Sequence, residues 1–192
     1  LWLGLQLTHS GRFCRPHGPN LEPRIAYHHP LLDAKFGIDP RDASVVMTDD
    51  EIERLIDAYV ASAGAAREAG FQFVDIKACH GYLLHEFLSA RARPGRFGGD
   101  FEGRTRLLRT IVERVKNTYP DLDIGVRLSV FDTVPYQTSR EIGQPWPYDE
   151  CLPYTFGFGV DANDPLAIDL AEPIALLRTL HQLGVVAVNV SC

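Results

Sequence analysis

Cysteine is sparse and unpaired along the chain: Cys14, Cys79, Cys151 and Cys192 stand apart with no Cys-x-x-Cys spacing. That pattern excludes the common zinc ribbons and dense disulfide frameworks, and makes a reducing cytoplasm the expected setting. No apolar run approaches the roughly 18 uninterrupted residues of a membrane span, and no basic, cleavable leader precedes the first apolar stretch. Basic charge is not in excess, since 19 Lys plus Arg against 25 Asp plus Glu leave a net charge of −6. A nucleic-acid partner is therefore disfavoured, a small-molecule partner is expected, and self-association remains open. No Gly-x-Gly-x-x-Gly turn follows any candidate strand, so the dinucleotide fingerprint of a doubly wound sheet is missing. An initiator Met is lacking too. The strand-like LWLGLQL opens the chain and the apolar VVAVNVSC closes it, so the 192 residues are expected to form a single domain truncated at both ends.

What is present alternates in period. After Leu1–Leu7 comes a 40-residue stretch from Thr8 to Met47, rich in Pro, Gly and His, which reads as an irregular functional loop. Thr48 and Glu51 form a capping box, and Ile52, Leu55, Ile56, Tyr59, Val60 and Ala63 recur on one helical face up to Gly70. Phe71–Ile76 is an apolar strand, and Tyr82–Leu88 a helical turn beyond it. Glu102–Tyr119 is a second amphipathic helix and Ile124–Leu128 the next strand. Val130–Pro165 carries five prolines and is another long excursion. Pro173 suits the first turn of a third helix, with Ile174, Leu177 and Leu180 as apolar positions, ending at Gly184 before the last strand. Strand and helix thus alternate, which predicts an α/β fold with a parallel sheet. Four strands suffice for part of a TIM (β/α)8 barrel with long loops at its C-terminal rim, and periodicity alone leaves a doubly wound sheet as the rival.

Polar residues gather just past the strand ends: Gln6 and His9, then Lys77, His80 and Tyr82, then Arg127 and Ser129. In a parallel α/β barrel that rim is where sites are assembled. At these positions the chain resembles the old yellow enzyme family of FMN-dependent oxidoreductases. Gly70–Arg106 (GFQFVDIKACHGYLLHEFLSARARPGRFGGDFEGRTR) is similar to that family's strand ending in a His-x-x-Asn/His pair, followed by Gly-Tyr-Leu, a Phe-Leu turn and a Gly-Gly-x-x-Glu-Asn-Arg element. LQLTHSGR at Leu5–Arg12, GVRLS at Gly125–Ser129 and VNVSC at Val188–Cys192 resemble its third, fifth and sixth strands.

The resemblance implies a partial barrel covering strands three to six, with much of the FMN phosphate site carried by strands that the 192 residues do not include. It implies FMN as cofactor, NAD(P)H as reductant, and an activated alkene or enone as substrate. Gln6 would hydrogen-bond the flavin's pyrimidine edge, an amide supplying donor and acceptor together. Arg127 would face the flavin atoms where reduction builds negative charge. His80 and Lys77 would anchor the substrate's carbonyl oxygen, and Tyr82 would deliver a proton to the carbon beside that carbonyl.

Several positions depart from the family pattern. Lys77 stands where the first anchoring residue is usually His, replacing a directional imidazole by a point charge. Glu102-Gly103-Arg104 replaces Glu-Asn-Arg, and Asp100 replaces a Ser; both read as scaffold. Cys79 reads as a small packed residue. The adjacent His28 and His29 read as solvated loop or substrate-rim positions, because neighbouring side chains diverge too far to share a metal. His80 and His85, five residues apart, do not align on a helix face, so no metal site is expected there. Other FMN barrels of the dihydroorotate dehydrogenase and dihydrouridine synthase kinds, and a non-catalytic barrel without flavin, are the competing readings. The Asn-rich or Gly-Cys-Pro strand ends of the former are not matched by IKACHGYLL, and retaining Gln6, His80, Tyr82 and Arg127 together argues against the latter.

Overall fold

A computed structural model describes residues 1–191, so the terminal Cys192 of the last expected strand lies outside the described residues. Four parallel strands, β1 (Gly4–Leu7), β2 (Phe73–Ala78), β3 (Asp123–Ser129) and β6 (Ala187–Ser191), form one sheet in the order β1-β2-β3-β6. Each strand lies beside its predecessor, with no reversal of order of the kind that defines a doubly wound sheet.

The helices between them are α2 (Asp49–Glu68), α4 (Phe101–Thr118) and α5 (Ala171–Gln182). All three bury their apolar stripes against one face of the sheet. Val74, Ile76 and Ala78 of β2 and Ile124, Val126 and Leu128 of β3 point into that layer and are fully buried. They meet Ile52 and Ile56 of α2, Leu107, Leu108 and Ile111 of α4, and Leu176 and Leu180 of α5. Each such Val, Leu or Ile side chain contributes roughly 1.5–3 kcal/mol by leaving water. One-sided helices over sequentially ordered parallel strands make an arc of a (β/α)8 barrel, and the opposite face of the sheet faces the barrel interior.

The capping box forms as expected: Thr48 N–H donates to Glu51 Oε2 at 2.8 Å, and Glu51 N–H to Thr48 Oγ1 at 3.3 Å. On α5 the expectation needs correction. The buried positions are Pro173, Leu176 and Leu180, whereas Ile174 is 43% exposed, because the helix is rotated so that its i, i+3, i+7 row meets the sheet. Glu102-Gly103-Arg104 is structural. Asp100 Oδ1 accepts Gly103 N–H at 2.8 Å, a Cβ on residue 103 would collide with the Gly98 carbonyl, and buried Arg104 bonds the carbonyls of Leu88 and Gly99 and, at 2.6 Å, Glu172.

The two excursions are more ordered than their compositions suggest. The first contains a 3-10 turn at Gly11–Phe13 and a short helix, α1 (Pro30–Phe36), and Ile25 pairs with Val46. It is pinned by charges buried beneath it. Arg12, 1% exposed, pairs with Asp33 and, at 2.8 Å, with Glu86 of α3 (Leu83–Leu88), while Glu86 Oε2 accepts Ala26 N–H at 3.0 Å. Gly11 has φ +58, and a Cβ there would stand 2.8 Å from Leu83 N, so this loop lies directly on the start of α3. The second excursion carries a small antiparallel ribbon, β4 (Tyr136–Gln137) with β5 (Gln144–Pro145). No helix among the described residues is long and apolar enough to cross a membrane.

Candidate active site

Parity along the strands settles which side chains share the interior face. Gln6 is in register with Asp75 and Gly125, and two residues further along Lys77 is in register with Arg127 and Arg127 with Asn189. Since side chains alternate with period two, Gln6, Asp75, Lys77, Arg127 and Asn189 all project away from the helices, in two successive layers.

In the lower layer, Gln6 Nε2 donates to Asp75 Oδ2 at 2.6 Å, leaving the amide oxygen free for a donor outside the sheet. In the upper layer, Lys77 and Arg127 lie side by side. Neither forms an ion pair with a carboxylate among the described residues, and Arg127 Nε is buried without a hydrogen-bond partner. Two neighbouring unneutralised cations, with a buried donor left over, are costly unless something electron-rich lies against them. A flavin edge that gains negative charge, or a developing oxyanion, matches that donor set, so the residues present fit FMN.

His80 and Tyr82 follow at the C-terminal end of β2. His80 adopts φ +61, an uncommon conformation for a residue with a side chain. Its N–H donates to Ser129 Oγ at 3.3 Å, and its Nε2 lies 2.6 Å from Ser191 Oγ at the end of β6. The turn is thus held by hydroxyls from the next two strands. Burial, then the positive charges of Arg127 and Lys77, lower the His80 pKa below the ordinary value. Tyr82 presents its ring to Lys77, whose Nζ sits 3.3 Å from the ring centroid, and to Phe13, 5.6 Å between centroids. Lys77 is 9% exposed and directed by that ring rather than free in solvent.

All five sequence-derived candidates, Gln6, Lys77, His80, Tyr82 and Arg127, therefore lie on one face and rim. Of the others, His9 serves the loop, its Nδ1 accepting Gly11 N–H at 3.1 Å. Cys79 is fully buried, and burial pushes its thiol pKa up. His80 and His85 diverge, since His85 Nδ1 accepts Gly81 N–H at 2.9 Å. His29 overturns its expectation of a solvated position. It is 4% exposed and caps α1, its Nδ1 accepting Leu31 and Leu32 N–H, both at 3.2 Å. His28 keeps a partly exposed ring, 2.6 Å from Asp33. Sequence reasoning missed Asp75 and Ser191. The alternation in FVDIKA and AVNVS, which places Asp75 with Lys77 and Ser191 with Asn189, is the signal that finds them.

Comparison with known proteins shows the family and the fold. The family model described as NADH:flavin oxidoreductase / NADH oxidase matches residues 2–144. An NADPH dehydrogenase of Bacillus subtilis is 34% identical over 133 residues, covering 68% of this chain and 36% of that protein. Old yellow enzyme from Pichia is 30% identical with a TM-score of 0.54, over 67% of this chain and 36% of that one. The old yellow enzyme homologue of Zymomonas mobilis superposes over 95% of this chain and 45% of its own, with 26% identity and a TM-score of 0.61. This chain thus spans 36 to 45% of the length of these relatives. The matched family model, the sequence relatives and the one-sided arc of parallel strands together place the chain in the NADH:flavin oxidoreductase / NADH oxidase family, to which old yellow enzyme belongs.

Proposed function

We propose that the chain supplies the flavin- and substrate-facing wall of an FMN-dependent oxidoreductase that uses NAD(P)H to reduce an activated alkene. The carrying observation is the pair Lys77 and Arg127, adjacent in register and without carboxylate partners among the described residues. The chemistry that FMN supplies when bound is hydride transfer between a nicotinamide and the alkene.

The chain's own residues do the rest. Gln6, its amide oriented by Asp75, offers an acceptor oxygen to the flavin's pyrimidine edge. Arg127 offers a permanent cation where reduction concentrates negative charge. Lys77 and His80 grip the substrate's carbonyl oxygen, and their donors strengthen their hold as negative charge grows on it. Tyr82, its ring held by Lys77 and Phe13, donates a proton to the carbon next to that carbonyl. Small-molecule partners and a cytoplasmic setting belong to the same reading.

The test uses the full-length protein that carries these residues, loaded with FMN, under anaerobic conditions. Cyclohexenone should accelerate NAD(P)H consumption and be converted to cyclohexanone. A protein that binds FMN and is reduced by NAD(P)H, yet passes no electrons to any enone, would refute alkene reduction.

A further inference from the structure

A cavity of about 290 Å³ lies between the two long excursions, bordered by Phe13 and Phe36 from the first and by Thr133 and Tyr154 from the second. Gly81, the neighbour of Tyr82, forms part of its wall, and Phe13 contacts both the cavity and the Tyr82 ring. The space therefore adjoins the rim residues without being lined by Lys77, His80 or Arg127.

Hydrogen-bond polarity can be deduced at His29 in its wall and at His85 behind the wall residue Asp132. Because His29 Nδ1 accepts two backbone N–H groups, the hydrogen of the neutral imidazole resides on Nε2, which donates to the Tyr154 hydroxyl at 3.1 Å. Burial lowers the His29 pKa to about 4 and keeps the ring neutral at physiological pH. Tyr154 is 2% exposed, and no acceptor among the described residues takes its own hydrogen. The same logic applies to His85. Its Nδ1 accepts Gly81 N–H, so Nε2 bears the hydrogen; that atom is buried without a partner, facing the cavity residue Asp132 at 3.9 Å, beyond hydrogen-bond reach. Buried donors left unpaired cost free energy that a suitably placed acceptor recovers.

The lining also selects against ions. Arg12 is already neutralised by Glu86 and Asp33, and Lys35 and Asp132 bring opposite charges to the border. The remaining walls combine the aromatic rings of Phe13, Phe36 and Tyr154 with the aliphatic Leu32, Val134 and Pro135, and the volume accommodates a substituted ring.

We propose that this cavity is a specificity subsite for an uncharged ring bearing an oxygen substituent, with the Tyr154 hydroxyl donating to that oxygen. It rests on the proposed alkene reduction, extending the substrate outward from the Lys77–His80 anchor past Gly81.

The experiment compares three enones with the full-length, FMN-loaded protein that carries these residues: cyclohexenone, benzylideneacetone and para-hydroxybenzylideneacetone. Tyr154→Phe should raise KM for the hydroxylated enone roughly 3- to 10-fold, as expected for one lost neutral hydrogen bond, and leave the other two unchanged. Thr133→Trp, which fills the cavity from its partly exposed edge, should raise KM for both aryl enones and spare cyclohexenone. Equal effects of Tyr154→Phe on all three substrates, no effect on any, or aryl enones unaffected by Thr133→Trp would overturn the subsite. If the full-length, FMN-loaded wild-type protein reduces no enone, the alkene reading fails by itself, and calorimetric titration with para-hydroxyacetophenone still decides the cavity. Weaker binding in Tyr154→Phe supports it, and equal affinity in the two proteins overturns it.

Discussion

His29 makes the stability of the loop scaffold depend on acid in a calculable way. Both ring nitrogens are committed, Nδ1 to the N–H groups of Leu31 and Leu32 and Nε2 to Tyr154. A second proton would have to displace the helix cap at Nδ1. Burial, reinforced by the charge of Arg12 and only partly opposed by Asp33, lowers the pKa from the ordinary 6.5 to about 4. In the unfolded chain the ring regains its ordinary value, so between these limits the unfolded state binds more protons than the folded one. The His29 contribution to stability is therefore complete above pH 6.5, declines as the pH falls, and is lost below about 4. At 1.36 kcal/mol per pKa unit, the full loss comes to about 3 kcal/mol. The assay is urea unfolding of the wild type and His29→Asn at a series of pH values from 7 to 4. Asn retains a capping acceptor and cannot take a proton, so common carboxylate titrations cancel in the difference. The wild type should lose about 3 kcal/mol relative to the variant over that range. A difference that stays flat with pH would refute the buried, neutral cap.

Tyr82→Phe keeps the ring against Lys77 and removes only the acidic hydrogen. Reduction of the bound flavin by NAD(P)H should be nearly unchanged, while alkene reduction slows by a factor of about 10² to 10⁴; equal slowing of both half-reactions would exclude the proton-donor role. Lys77→Met removes one of two donors to the carbonyl oxygen and should lower enone turnover by about 10² to 10³ at constant flavin content, a result checked by steady-state kinetics beside the flavin spectrum. Arg127→Ala should lower the midpoint potential of bound FMN, because the cation meets charge that appears only on reduction; redox titration showing an unchanged potential would make Arg127 structural.

Local chemistry was enough to read the elements that carry their own signals. The Thr48–Glu51 box, the apolar stripe from Ile52 to Ala63 and the short runs around Val74 and Ile124 obey periods of 3.6 and 2 that follow from backbone geometry alone. The polar residues Gln6, Lys77, His80, Tyr82 and Arg127 were placed at strand ends by the strand reading, whereas the roles proposed for them came from the resemblance of the surrounding motifs to a known family. Tertiary structure decided what depended on partners distant in the chain. Arg12 orders the first excursion only because Glu86, 74 residues away, lies beneath it. His29 is buried only because α1 needs a cap and Tyr154 comes across from the second excursion. Ile174 faces outward because the packing of α5 on the sheet, which no periodicity encodes, chose the neighbouring row. The same holds for Ser191, whose contact with His80 requires β6 to dock beside β3. Sequence specifies the face each residue occupies within its own element, whereas the order of strands and the rotation of helices determine which faces meet.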